Sequence, residues 1–204
     1  MAPAYKVTYF PITALGEPIR FLLSYGGFEF EDCRIGPENW PQLKPSMPFG
    51  QLPTLEHNGK IVNQSIAICK YLAKQVKLVG NDDWEDLEID AIALTINDLR
   101  LSIGKYHYES DEQVKERIKG TLFSETLPYY LERLDKIAKD NNGYLAAGRL
   151  TWADLYFIAL LDYMNQMAKT DIIVDHPNLL AVKNNVLSLP AIKTWIEKRP
   201  ESTY

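Results

Sequence analysis

A mixed α/β domain followed by an all-helical domain is the fold class this sequence predicts. Three observations carry it. Short β-branched and aromatic runs alternate with helical patterns before residue 76; residues 76–83 (VKLVGNDD) have the composition of a linker; and strand signals almost vanish beyond them, giving way to long helical patterns. The expected limits are 1–78 for the first domain and 84–204 for the second.

Residues 5–10 (YKVTYF) form a β-branched and aromatic run that predicts a strand. Residues 17–25 (EPIRFLLSY) carry apolar side chains at helical spacing, with Pro18 in a first turn where its missing N–H does no harm. Residues 28–34 predict a second strand, and the strand–helix–strand order favours a parallel pair. Residues 53–56 and 60–62 flank His57-Asn58-Gly59, so they read as a hairpin with an Asn-Gly turn. Ser65 is expected to cap a helix running to about residue 75, with Ile68, Tyr71 and Leu72 along one face. This β-α-β, β-β-α order, with a four-stranded mixed sheet, is thioredoxin-like.

Helical patterns then span 84–108, 111–140, 152–168, 177–187 and 190–198. Pro128 is expected to bend or break the second of these. Thr151 and Asp154 form a capping-box variant, with Leu150 and Leu155 in staple positions. The helix they open is apolar nearly all round, which predicts the buried centre of a helical bundle.

Composition narrows the function. With 22 Lys+Arg against 27 Asp+Glu, the net charge of -5 disfavours nucleic acid or an anionic membrane as the main partner. No run approaches the roughly 18 apolar residues of a membrane span. Met1-Ala2-Pro3-Ala4-Tyr5-Lys6 has neither the basic start nor the apolar stretch of a signal peptide. Cys33 and Cys69 show no CxxC spacing, which fits a reducing cytosol, and three widely spaced histidines (His57, His107, His176) predict no metal site.

Three local features point to one small ligand. Tyr9 ends the first strand and faces the loop Pro11-Ile12-Thr13-Ala14-Leu15-Gly16, where its hydroxyl can meet a cleft. Pro48-Phe49-Gly50-Gln51-Leu52-Pro53 ends on a strand-opening proline of the kind that follows a cis bond, so Leu52 can pair with an extended peptide. Asn63-Gln64-Ser65 opens a helix whose free N–H groups suit a carboxylate. Together they describe a site for a small peptide-like anion, with its carboxylate at one end and a tyrosine at the other. Each has a plainer reading alone: Tyr9 as a packing residue, Ser65 as a cap, and Trp40 with Lys44 as a surface loop. Asp154 is accounted for by its capping role.

The sequence resembles the sigma class of cytosolic glutathione transferases, especially insect members, over essentially its whole length. The resemblance rests on YKVTYF at 5–10, LGEPIR at 15–20, NWP at 39–41, PFGQLPTLE at 48–56, NQSIAICKYLAK at 63–74 and LTWADLYF at 150–157, in that order and spacing. It implies glutathione as co-substrate, Tyr9 as the catalytic tyrosine, Trp40 and Lys44 at the glycine end, and Gly50, Gln51 and Leu52 along the cysteinyl portion. Gln64 and Ser65 match the γ-glutamyl carboxylate site, and Asp98 an acidic residue that reaches the γ-glutamyl amine of the neighbouring subunit, which implies a homodimer.

A free cysteine thiol has a pKa of about 8.5, so a phenolic O–H donated to sulfur favours the thiolate that attacks an electrophile. Ile12, Ala14, Leu15, Asn97, Leu101, Lys105, Tyr108 and Tyr156 are expected to line the site of that hydrophobic electrophile. Vertebrate prostaglandin-isomerising members carry arginine where this chain has Leu15, which favours thiol conjugation, including of lipid-peroxidation aldehydes, over isomerisation. A glutathione-dependent isomerase or peroxidase, and a non-enzymatic lens or ligand-carrier protein, are the alternatives on the same scaffold.

Overall fold

The computed structural model describes residues 4–202; residues 1–3, part of the segment compared above with a signal peptide, and residues 203–204 lie outside the described residues. The elements in chain order are β1 (Tyr5–Tyr9), α1 (Glu17–Tyr25), β2 (Phe30–Arg34), α2 (Trp40–Leu43), β3 (Thr54–His57), β4 (Lys60–Asn63), α3 (Ser65–Gln75), α4 (Asp83–His107), α5 (Glu112–Thr121), α6 (Leu127–Asp140), α7 (Trp152–Ala168), α8 (Pro177–Leu187) and α9 (Pro190–Lys198). Their contacts gather into two compact units, Met1–Val79 with Leu187–Tyr204, and Gly80–Val186.

The first unit is a four-stranded sheet in the order β2-β1-β3-β4, with β1 and β2 parallel and the other two pairings antiparallel. This is the thioredoxin-like sheet that the strand and helix order predicts. Val7 and Leu55 from the sheet are buried with Ile19, Leu22 and Leu23 of α1 and Ile68 and Leu72 of α3. The hairpin turn needs positive φ at both central residues, and Asn58 (φ 53) and Gly59 (φ 74) supply it.

Two features differ from the sequence reading. The segment before β3, read without elements, folds as α2 and two single 3-10 turns, Lys44–Ser46 and Pro48–Gly50. Each carries a proline in its first two positions, which starts a turn but blocks its extension. Ser65 is not the cap of α3 but its first residue; Gln64 holds the cap position and makes no side-chain capping bond. The last helix, α9, follows the helical domain in sequence and packs on α1 of the first unit. Helical periodicity predicts that α9 exists; it does not say which element receives it.

In the second unit, Asp82 caps α4 by accepting from the N–H groups of Trp84 (3.0 Å) and Glu85 (2.9 Å). Asp111 caps α5 in the same way. The break expected at Pro128 begins earlier, as a π turn over Leu122–Thr126. Pro128 cannot donate to the carbonyl four residues back, so the turn before it widens. As its all-round apolar surface predicts, α7 is the buried centre, with α4 as its main neighbour. No helix among the described residues is long and apolar enough to cross a membrane.

The capping box at Thr151 forms and does more than close a helix. Asp154 Oδ1 accepts from Leu145 N–H (2.7 Å), while Oδ2 accepts from the Thr151 N–H (2.7 Å) and hydroxyl (3.0 Å). Burial pushes this carboxyl up to about 6 against the pull of those donors. The native state therefore binds the proton more tightly than the unfolded chain. That contribution to stability is full below about pH 4 and lost as pH rises through about 6. Asp154→Ala strands the Leu145 and Thr151 donors in the core, and we expect a loss of about 2–4 kcal/mol, read as a lowered urea midpoint.

Candidate active site

Tyr9 is the last residue of β1 and is nearly buried. Its ring lies on Gly16, the end of the 3-10 turn Ala14–Gly16: a Cβ added at Gly16 would sit 2.6 Å from Tyr9 Cδ1. The Arg20 guanidinium carbon lies 6.0 Å from the Tyr9 ring centroid. Thr8 pairs with Thr54 across β1 and β3, so one step further along the ladder Tyr9 comes level with Pro53, beside Leu52.

From Tyr9 a series of contacts runs to the end of β4, the strand that leads into α3. The Phe10 ring is 5.6 Å from the Tyr9 ring and 5.5 Å from that of Trp40, edge-on to the latter. Trp40 opens α2, and Lys44 follows it one turn later, exposed, with its stem against Gly50. Gly50 has φ +59, a left-handed conformation that suits glycine. Gln51 Oε1 accepts from Asn63 Nδ2 (3.1 Å), which ties the loop before β3 to the end of β4. The Leu52–Pro53 bond is cis, as the sequence suggests. Gln64 sits at φ 75, ψ 95, an uncommon backbone state for a non-glycine residue, and Ser65 then opens a helix with no side-chain cap. All eight of the ligand residues expected in the first domain thus lie along one path in one unit, and its far end offers bare N–H donors to an anion.

The residues expected at the electrophile site divide. In the first unit, Ile12 and Leu15 are half-buried, but the Ala14 side chain is buried. In the second unit, Leu101, Lys105 and Tyr108 on and just after α4 are exposed. Asn97 accepts two bonds from Arg100 (both 3.0 Å), and the Tyr108 hydroxyl shares a 2.8 Å hydrogen bond with that of Tyr163. Lys105 lies with Ser102, Arg117 and Thr121 along a cleft of about 410 Å³. Tyr156 is fully buried in α7, 5.8 Å from the Trp152 ring, so its side chain is covered where the sequence expects it to line the site. Asp98 is exposed on α4. Cys33 lies on β2 opposite Thr8 rather than at the β1–α1 junction itself, and burial pushes the Cys69 thiol well above its ordinary range.

A charged network behind Tyr9 was not singled out from the sequence. Glu17 and Arg20 are fully buried, and Arg20 donates to Glu17 Oε2 (3.1 Å), the Ile12 carbonyl (2.9 Å) and Asp32 Oδ1 (2.8 Å). Arg34 donates to the other oxygen of Asp32 (2.8 Å). The usable signal was a Glu/Arg pair at i,i+3 inside a helix whose other residues are almost all apolar, since such a pair has to be buried together.

Fold and site together define a two-domain class, in which a thioredoxin-like domain with a tyrosine-ended first strand precedes a helical domain. The chain belongs to the glutathione S-transferase family: residues 5–74 match its N-terminal domain and residues 97–199 its C-terminal domain. It is 53% identical to a glutathione S-transferase of Anopheles gambiae over 97% of this chain and 98% of that one. It is 37% identical to the hematopoietic prostaglandin D synthase of Gallus gallus over 98% of each. The solved structure of a prostaglandin synthase D of Nilaparvata lugens superposes with a TM-score of 0.93 at 48% identity, covering 98% of this chain and all of that one. As a member of this family the chain is a transferase with glutathione as its co-substrate.

Proposed function

We propose that this chain is a sigma-class transferase of insect type, in which the Tyr9 hydroxyl donates to the glutathione sulfur and holds it as a thiolate for attack on hydrophobic electrophiles. Lipid-peroxidation aldehydes are the favoured class. The observation that carries the reading is the series of contacts from Tyr9 through Phe10, Trp40, Lys44, Gly50 and Gln51 to Asn63, the residue directly before Gln64 and Ser65. It suits an extended tripeptide with the γ-glutamyl carboxylate at α3, the cysteinyl backbone at Leu52 and the sulfur beside Tyr9. Leu15 brings no charge to the loop after β1, so the phenol is the main side-chain donor proposed for the sulfur.

A homodimer in the cytoplasm completes the reading. Leu87 (55% exposed), Leu94 (50%) and Leu101 (51%) recur every seven residues on α4, and Phe49 is 91% exposed. Apolar side chains so displayed favour a protein partner. Asp98, on the same helix, is proposed to reach the partner's glutathione. Isomerisation of a prostaglandin endoperoxide is the second reading. The likeness to the Nilaparvata lugens protein favours it, and the uncharged Leu15 favours conjugation.

Ultraviolet titration of the bound thiolate tests the mechanism. The wild-type midpoint is expected below the ordinary thiol value of about 8.5. Tyr9→Phe is expected to raise it by about 1–2 pH units and to lower kcat/KM about 10–100-fold. An unchanged midpoint with glutathione still bound overturns the role of Tyr9. Turnover of an unsaturated aldehyde, a chlorinated nitrobenzene and an endoperoxide separates the substrate readings, and turnover of none favours a carrier.

A further inference from the structure

We propose that Glu17 is a positioning residue for Tyr9, and that Trp195 and Arg199, at the far end of the chain, are the struts that hold it. The inference rests on the Tyr9 reading above. Glu17 is the first residue of α1, directly after the Gly16 floor on which the Tyr9 ring lies. Its carboxylate is fully buried and accepts three hydrogen bonds. Oε1 accepts from Trp195 Nε1 and from Arg199 Nη1, both at 2.7 Å, and Oε2 accepts from Arg20 Nη1 at 3.1 Å. All three are charge-assisted, and the two to Oε1 are short, so in a low-dielectric setting they fix the carboxylate closely.

The same network closes around Tyr9 from three sides. Arg20 holds the Ile12 carbonyl in the loop that leaves Tyr9. Asp32 bridges Arg20 to Arg34, and Arg34 is the residue opposite Tyr9 in the β1–β2 register. Gly16, fixed by its neighbour Glu17, supplies the floor. The backbone after, beneath and beside the phenol is therefore anchored to two carboxylates. One of them depends on residues 178 and 182 positions later in the chain. A buried ion cluster is no more stable than well-packed apolar side chains would be. What it adds here is direction: it sets where the floor of Tyr9 lies, and so the aim of the hydroxyl.

Trp195→Phe tests this in the full-length protein, because it deletes the N–H donor while a ring remains against Phe30 (5.4 Å in the native chain). We expect kcat to fall about tenfold while KM for glutathione stays within about twofold, with the bound-thiol midpoint raised by about half a pH unit or more. In the Tyr9→Phe background the same change is expected to leave the midpoint where Tyr9→Phe alone puts it, because the two act through one group. Arg199→Leu is the second variant, expected to act in the same direction, and Arg199→Lys to restore much of the loss. If Trp195→Phe and Arg199→Leu both leave kcat and the midpoint unchanged, or shift the midpoint equally with and without Tyr9, the positioning role is overturned. If Tyr9→Phe itself does not move the midpoint, the reading of Tyr9 fails first and this inference with it.

Discussion

Gly16→Ala is expected to lower conjugation turnover about a hundredfold, the size of effect that a misplacement of roughly 1 Å produces at a reacting centre. Backbone preference does not oppose the change: Gly16 has φ -79 and ψ -29, ordinary helical values for alanine. By itself that would stabilise the chain by up to about 1 kcal/mol through the unfolded state. Contact decides the outcome instead. The new methyl would lie 2.6 Å from Tyr9 Cδ1, 3.0 Å from Cγ and 3.2 Å from Cβ, all at the root of the ring rather than at a flexible tip. Either the ring tilts or the turn carrying Gly16 moves, and Glu17 resists the second through its three donors. The tilt is therefore the response expected, at a packing cost of about 1–3 kcal/mol. Steady-state turnover and the bound-thiol midpoint, measured beside a urea midpoint, separate the effects. Full turnover would mean that Tyr9 tolerates the methyl, and that the floor does not set the aim of the phenol.

Much of this arrangement was legible before any coordinates. Strands and helices follow from alternation and from helical spacing, because both are local rules that each segment obeys alone; the limits of α1, α7, α8 and α9 fall where the residue pattern puts them. The path proposed for the ligand has a related signal in the sequence: Tyr9, Leu52-Pro53 and Gln64-Ser65 sit at element ends, and element ends carry strong residue signatures. Three things were not legible. Ser65 offers a capping hydroxyl, but Gln64 takes the cap position with positive φ, a choice made by how β4 runs into α3. Tyr156 has the amphipathic character of a pocket residue, yet its face of α7 is fully buried. The destination of α9 depends on a carboxylate near the other end of the chain, and no local pattern links Glu17 to Trp195.

Arg20→Leu is expected to cost about 3–5 kcal/mol, a large share of the roughly 5–15 kcal/mol that holds a typical domain folded. The guanidinium serves three acceptors from full burial: Glu17 Oε2, Asp32 Oδ1 and the Ile12 carbonyl. Leucine fills part of the volume but supplies none of the donors. It leaves an unpaired backbone carbonyl and two carboxylates, each short of a partner, in a region that water reaches poorly. Arg20→Lys should recover less than half of the loss, since a single ammonium cannot span acceptors set around a planar fork. The chain contains its own comparison. Lys6 and Glu31 form an ion pair at 2.9 Å, but the two side chains are 38% and 49% exposed. Solvent screens such a pair, so Lys6→Ala is expected to cost less than about 1 kcal/mol, and less still in high salt. Urea midpoints of the three variants at low and high ionic strength give the test. A small loss for Arg20→Leu, shrinking with salt as Lys6→Ala does, would show that the cluster behind Tyr9 is hydrated and weakly coupled. A large, salt-insensitive loss would show that Arg20 joins the loop after Tyr9 to the first strand pair from within the core.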